Sequence, residues 1–449
     1  MSASPSTTAA GTRELHFVII GGSLGGLAIG IALKSLGHKT TILERNSTPL
    51  LQDQGAGIVA GGDTLEFLEK GGRDGYAIKS TARVYLNRDG QVVHRKESEQ
   101  YMTSWDMIYH LLRSNYDGYS SEYCEVPPTN QDHGEVEYAY DRTVVDIQLS
   151  PSSFDKVAVQ WKSSTGTSGS ITADYVIGAD GPSSTVRTLA LGLEGKPPVD
   201  RTYAGYCALR GTVDESDPRL SQETLEVFRE KFTFFHGPHT QILCYLIPGL
   251  NGTTTPGHRL LNFVWYVNFP EDAEETEHIM TDIHGKKRNI TIPPGLLDPV
   301  AWAKQCDKAR QQLPAVFADV VSAAKKPFVQ KVTDVISPDH EFCDGKVILI
   351  GDALAGFRPH TVASTSQAMR DADLLARYVK GGQGLEGGIG RDEWRRETLG
   401  LARTFQRRGV EMGRRSQEME LGLQEYVEDR ERASVPRGEE VWEEWALEY

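Results

Sequence analysis

The hydrophobic pattern opens with a nearly unbroken apolar run, Leu15 to Ile20, as expected of a parallel strand buried on both faces. Glycines follow. Leu27 to Leu36 then carries the Ala, Ile and Leu of a buried helix, which Gly37 closes. Lys39 to Leu43 is a second, β-branched strand, so the spacing predicts a βαβ unit of about 30 residues with a right-handed crossover. Thr81 to Leu86 and Gln91 to His94 alternate around Asp89-Gly90, a hairpin signal, and Ser104 to Arg113 has helical spacing through Trp105, Ile108, Leu111 and Leu112. Asp174 to Ile177 is another buried strand before a loop. A strand-rich block follows, clearest at Ile242 to Ile247 and Leu260 to Phe269, and then a loop-rich stretch over 271–300. Lys346 to Ile350 returns to the buried parallel-strand pattern, and a long helix is expected from Ser366 to Lys380. The Gly-rich stretch 381–393 reads as a flexible linker and the acid-rich remainder as amphipathic, salt-bridged helices.

Composition narrows the function classes. Among 449 residues, 48 are basic and 62 acidic, a net charge of −14, which argues against nucleic acid as the main partner. No run approaches the ~18 apolar residues of a membrane span. The five cysteines are scattered and odd in number and form no CxxC, so they read as reduced thiols, with neither disulfide nor metal site implied. Residues 1–13 are small and polar without an apolar core, so a disordered leader is expected rather than a signal peptide, and a cytoplasmic location with it.

Three motifs carry chemistry. The first, Gly21-Gly22-Ser23-Leu24-Gly25-Gly26, lies between strand and helix. Gly21 permits the tight turn, Gly26 permits close helix–strand packing, and backbone N–H groups at the helix start face a pyrophosphate. Glu44, 23 residues after Gly21, ends the second strand, where a carboxylate accepts hydrogen bonds from ribose hydroxyls. That carboxylate would repel a 2′-phosphate, which the neighbouring Arg45 would partly offset. The second motif, Gly178-Ala179-Asp180-Gly181 with Arg187, follows the Asp174–Ile177 strand and sets a carboxylate at the C-terminal edge of a parallel sheet. Its bland alternative is an Asp-Gly turn with a surface arginine. The third is Gly351-Asp352-Ala353 followed by Arg358-Pro359-His360-Thr361 and a helix. Asp352 can hydrogen-bond a polyol or merely cap the next helix. The helix start near Val362 and Ala363 offers partial positive charge to an anionic ring.

With these motifs in this order, the chain resembles the single-component FAD-dependent aromatic hydroxylases, and within them the 2,6-dihydroxypyridine 3-monooxygenase-like proteins. Gly55-Ala56-Gly57-Ile58-Val59, Thr103-Ser104-Trp105 and Asn262-Phe263-Val264-Trp265-Tyr266 add to the likeness, which spans roughly residues 15–380. Ser364 stands where that group usually has glycine. The resemblance implies an α/β fold: a Rossmann-type FAD-binding domain, a β-sheet substrate domain and a C-terminal helical segment. The expected boundaries are 14–195 and 331–380 for the FAD-binding domain, 196–330 for the substrate domain and 381–449 for linker and helices. It also implies bound FAD, transient NADPH or NADH, O2, and a small aromatic substrate, with a homodimer possible. Gly21, Ser23, Leu24, Gly25, Gly26, Glu44, Arg45, Gly57, Arg113, Asp180, Gly181, Arg187, Gly351, Asp352, Val362 and Ala363 are the candidate cofactor residues.

The implied reaction is hydroxylation of an electron-rich aromatic or N-heteroaromatic ring through a flavin C4a-hydroperoxide. His360, set at the flavin edge by Pro359, is the first candidate for substrate contact. Tyr206, His236 and His239 from the β block are further candidates. Epoxidation, Baeyer–Villiger insertion and decarboxylative oxidation use the same flavin chemistry and stay open. A plain nicotinamide dehydrogenase and a non-catalytic flavin-binding module are the remaining alternatives.

Overall fold

A computed structural model describes residues 13–49, 57–70, 75–149 and 156–417. Two large sheets organise it. The first has six strands in the order Glu341–Phe342, Val347–Leu349, Tyr175–Gly178, His16–Ile20, Lys39–Leu43 and Val136–Ala139. All its pairings are parallel except that of the first two strands. Val18, Ile19, Val176 and Ile177 have no exposed surface, as buried parallel strands require. The Leu24–Ser35, Trp105–Asp117 and Ser364–Gly382 helices cover one face. The Thr185–Leu193 helix and a three-stranded sheet (Thr143–Leu149, Val157–Lys162, Ser168–Ala173) cover the other.

The second sheet runs, in order, Thr291–Ile292, Phe328–Ile336, Thr202–Asp214, Leu260–Asn268, Thr240–Ile247, Lys231–Gly237, Ile78–Leu86, Val92–Ser104 and Gly57–Ala60, with Ala355–Gly356 paired to its Phe328–Ile336 strand. One face packs on helices such as Ala315–Ala323, in a core that includes Leu209, Phe263 and Trp265. The opposite face carries Tyr206, Phe232, Tyr245 and Tyr266 and meets Val362 of the nucleotide-type part.

The Asp89-Gly90 hairpin forms between Ile78–Leu86 and Val92–Ser104, with Gly90 at φ 82°. Its strands do not join the six-stranded sheet, although the sequence boundaries set them beside it. Lys231–Gly237 pairs in parallel with Ile78–Leu86 and draws them into the second sheet, because Ile78, Ala82, Val84 and Leu86 complete its helix-covered core. The 381–393 stretch is also not a free linker. The Ile389 N–H donates to the Arg377 carbonyl at 3.1 Å, and the Ile389 side chain is buried. The chain then enters one long helix, Arg391–Gln417. Trp394 stacks on Tyr378 with ring centroids 4.2 Å apart. Farther along, Gly409 and Gly413 lie against Arg358, and Ser416 donates to Gln241 of the second sheet at 2.9 Å. This helix therefore touches both halves of the fold. The expectations for residues 1–12 and 418–449 lie outside the described residues. Among the described residues no helix is long and apolar enough to cross a membrane.

Candidate active site at the junction of the two sheets

The glycine turn closes the first strand. Gly21 has φ 104°, a left-handed value that a side chain resists, and a Cβ there would press on the Ala179 carbonyl. A Cβ at Gly26 would overlap the Gly21 carbonyl oxygen. Gly25 lies against Ala368, and Leu24 is buried. The Ser23 side chain makes no cap, so the first N–H groups of the Leu24–Ser35 helix are left for another acceptor. An open cleft sits at this turn, lined by Gly22, Ser23, Glu44, Trp105, Tyr109 and Tyr138 among others. The Glu44 carboxylate accepts from the Gly22 and Asn46 N–H groups, both at 2.9 Å, and keeps lone pairs for a ligand hydroxyl. Arg45 is exposed and is not part of the lining.

Arg113 lies one layer behind the cleft. It donates to the Tyr109 and Tyr140 hydroxyls at 2.7 and 2.6 Å and to Asp117 at 2.8 Å, and its guanidinium stands 3.8 Å from the centre of the Tyr138 ring. It shapes the aromatic wall of the cleft instead of reaching into it. The Asp180 carboxylate is likewise occupied: it accepts from the Ser184 hydroxyl and from the Thr185 and Val186 N–H groups, as a helix cap does. Gly181 supplies the positive φ of that turn. Arg187 is buried and donates to the Ala353 and Pro182 carbonyls, both at 2.8 Å, tying the second motif to the third.

The third motif is built differently. The Gly351 N–H donates to Asp371 at 2.8 Å and its carbonyl accepts from Gln367 at 3.1 Å, so the loop is pinned to the Ser364–Gly382 helix. Burial pushes the Asp371 carboxyl up to about 7 and the Asp352 carboxyl up to about 6. Ser364 and Arg201 offset the Asp352 shift in part, yet one carboxylate oxygen of Asp352 is buried without a hydrogen-bond partner. A buried acceptor left open costs about 1–3 kcal/mol unless a ligand donates to it.

The chain then turns through Pro359–Thr361, and Val362 adopts φ 51°. A β-branched residue in the left-handed region is strained, and such strain concentrates at functional sites. Ala363 follows and gives no side-chain cap, so the start of the Ser364–Gly382 helix presents free N–H groups. The turn brings His360 against the second sheet. Its Nε2 lies 2.9 Å from the Tyr206 hydroxyl, and its ring is 4.3 Å from that of Tyr266. Burial raises the Tyr206 phenol above its ordinary range, so it keeps its proton.

His236 stands two strands from Tyr266. It shares the sheet face with Tyr266, but the register runs His236, Gln241, Tyr266 across three strands, about 9–10 Å apart at ordinary strand spacing. His239 lies under the end of the long helix, 3.0 Å from the Gln417 carbonyl. Gly57 is at the seam, its N–H donating to Asn262 at 2.9 Å, away from the glycine turn.

Comparison with known proteins follows the same lines. Residues 203–334, strands of the second sheet, match a family model described as FAD binding domain-like. The chain is 29% identical over 377 residues to 2,6-dihydroxypyridine 3-monooxygenase of Paenarthrobacter nicotinovorans, covering 83% of this chain and 85% of that one. It is 24% identical to salicylate hydroxylase of Pseudomonas putida, over 81% of this chain and 77% of that protein. The solved structure of 2,6-dihydroxypyridine-3-hydroxylase from Arthrobacter nicotinovorans superposes with a TM-score of 0.75, at 27% identity, over 94% of this chain and 97% of that one. The chain is thus similar to FAD-dependent aromatic hydroxylases.

Some of the site was hidden from sequence. Asp371 and Gln367 sit in the middle of a helix, and only their i, i+4 spacing on the helix face that meets Gly351 marks them. Tyr138 and Tyr140 belong to an edge strand and its loop with no motif of their own, yet they line the cleft. Arg358, which donates to Asp334 at 2.7 Å, fixes the backbone just before His360.

Proposed function

We propose that the chain is an FAD-dependent monooxygenase that uses NAD(P)H and O2 to hydroxylate an electron-rich, hydroxylated aromatic or N-heteroaromatic small molecule. The observation that carries this reading is the placement of His360. It is held by Tyr206 beside Tyr266, at the seam where the second sheet meets the uncapped start of the Ser364–Gly382 helix.

The residues fit an FAD. Gly21, Gly22 and Gly26 have space only for backbone, and the uncapped helix behind the turn suits a pyrophosphate. Glu44 would take the ribose, and the open oxygen of Asp352 suits a polyol chain. The start of the Ser364–Gly382 helix would face the polar edge of the flavin ring and favour negative charge there. When bound, FAD supplies hydride acceptance and oxygen activation.

The chain's own residues do the rest. The strained turn at Val362 and the Arg358–Asp334 pair fix His360. With Nε2–H donated to the Tyr206 oxygen, His360 takes the proton of a ring hydroxyl at Nδ1, and the ring becomes more nucleophilic as that proton leaves. Tyr206 keeps the imidazole in one orientation. Tyr245 and Tyr266, both nearly fully buried, keep water from the reacting carbon. The likeness to proteins named for 2,6-dihydroxypyridine and salicylate supports small hydroxylated rings as the substrate class.

The test is oxidation of NADH and NADPH by FAD-loaded protein, alone and with 2,6-dihydroxypyridine, salicylate and simple phenols. Strong stimulation by one compound, with one oxygen atom added to an intact ring, is expected. Stimulation by none, with flavin bound, would end the reading.

A further inference from the structure

The arginines on and beside the second sheet mostly have polar partners, and Arg210 stands apart. Arg259 pairs with Glu215 at 2.5 Å and Arg358 with Asp334 at 2.7 Å, and Arg83 donates to Gln100 at 2.8 Å. Arg210 has no hydrogen bond or ion pair among the described residues, and its Nε is buried without an acceptor. Tyr245 and Tyr266 face it, and burial keeps the Tyr245 phenol protonated. Burial accordingly depresses the guanidinium below its ordinary value.

The register shows what surrounds it. Arg210 stands opposite Val264 on one neighbouring strand and Phe328 on the other, its guanidinium 5.5 Å from the centre of the Phe328 ring. One row along, Asn262 stands opposite Tyr245. Asn262 is wholly buried; its Oδ1 accepts from Gly57, but its Nδ2 has no acceptor. In the other direction the next row holds Tyr266, on which His360 rests. Two residues along a strand advance about 7 Å, the span of one substituted aromatic ring. Arg210 is deep in the fold, yet part of its surface remains accessible. An uncompensated buried cation is strongly unfavourable, and so is a buried amide donor left open.

We propose that Arg210, with Asn262 beside it, is the subsite for an anionic oxygen of the aromatic substrate, on the far side of the ring from His360. The bond is a charge-assisted hydrogen bond from the guanidinium to a carboxylate or an ionised ring hydroxyl. The substrate class narrows to aromatic anions. This rests on the hydroxylase reading and specifies its substrate.

The experiment compares FAD-loaded wild type with Arg210→Met and Arg210→Lys at pH 8. Salicylate serves as the carboxylate probe, 4-nitrophenolate as the ionised-hydroxyl probe and phenol as the neutral one. Binding is read from the perturbed flavin absorbance, and thermal midpoints are measured without ligand. Arg210→Met should match or exceed the wild-type midpoint, because it removes a buried charge that has no partner. It should bind at least one anionic probe tenfold or more weakly while its affinity for phenol changes less than twofold, with Arg210→Lys between. Which anion loses affinity identifies the source of the oxygen. Equal losses for anion and phenol, or unchanged binding of both anions, would overturn the proposal. So would a lowered midpoint that Arg210→Lys restores without restoring anion binding, since Arg210 would then be a structural partner of Phe328. If wild type binds phenol but neither anion, the subsite fails and the hydroxylase reading stands; if no ring binds wild type, both fail.

Discussion

His360 and Tyr206, 154 positions apart in the chain, are joined by a 2.9 Å hydrogen bond across the seam between the two sheets. His360→Ala should lower product formation by about 10²–10⁴-fold, the usual range for loss of a general base. Its flavin content should equal wild type, and NAD(P)H consumption should persist with less product. Tyr206→Phe should fall by a smaller factor, since it loosens the imidazole without removing it. Coupling of NAD(P)H use to product, measured for both variants, checks this.

Gly26→Ala should abolish flavin retention, because the new Cβ would overlap the Gly21 carbonyl oxygen and the turn would have to open. Gly25→Ala is the control: its Cβ would rest 3.6 Å from Ala368, an ordinary contact. Flavin absorbance per mole of purified protein should be near zero for the first and near wild type for the second.

Flavin affinity should rise with pH through about 6. Burial raises the Asp352 carboxyl to about 6 in the free site. Hydrogen bonds donated by a polyol favour its ionised form. Binding therefore releases a proton below that value, and the dissociation constant should weaken by up to about tenfold per pH unit as pH falls from 6. Asp371, held near 7, titrates in the adjoining window. Asp352→Asn should remove the dependence around pH 6 and leave the Asp371 part, as read by flavin titration from pH 5 to 8.

His340 sets an acid limit on stability. It is fully buried edge-on against Trp394, and desolvation pushes it down to about 4 from an ordinary 6.5. The unfolded chain then binds more protons than the folded one between those values. Stability present above pH 6.5 is lost as pH falls towards 4, by about 3 kcal/mol at most. His340→Phe should be less acid-sensitive across that window, which denaturant unfolding at pH 7 and pH 5 would show.

Trp394→Ala should cost about 3–5 kcal/mol, the range for deleting a buried aromatic. Trp394 anchors one end of the Arg391–Gln417 helix, whose other end bears on Tyr206 and Gln241. The variant should therefore also lose coupling between NAD(P)H use and product, more than its fall in thermal midpoint accounts for.

The sequence by itself determined the elements whose physics is local. Leu15–Ile20 and Lys346–Ile350 are nearly continuous apolar runs, as strands buried on both faces should be, Lys39–Leu43 is a β-branched strand, and all three lie in the parallel sheet. The glycine turn was legible because Gly21 and Gly26 answer to backbone sterics a few residues away. Other features depended on tertiary structure. Asp180 and Asp352 look alike in sequence, each following a glycine-marked strand end. The first is spent capping a helix, while the second keeps an open oxygen. Arg113 reads as a ligand candidate until Tyr109, Tyr140 and Asp117 are seen to claim its donors and the Tyr138 ring its face. The Ile78–Leu86 strand could serve either sheet by its pattern, and pairing with Lys231–Gly237 decided the matter. His360 met Tyr206, and Arg210 was left without a hydrogen-bond partner among the described residues, only when distant strands came into register. Hydrogen bonds and buried charges are settled by neighbours in space, and a chain reports neighbours along itself.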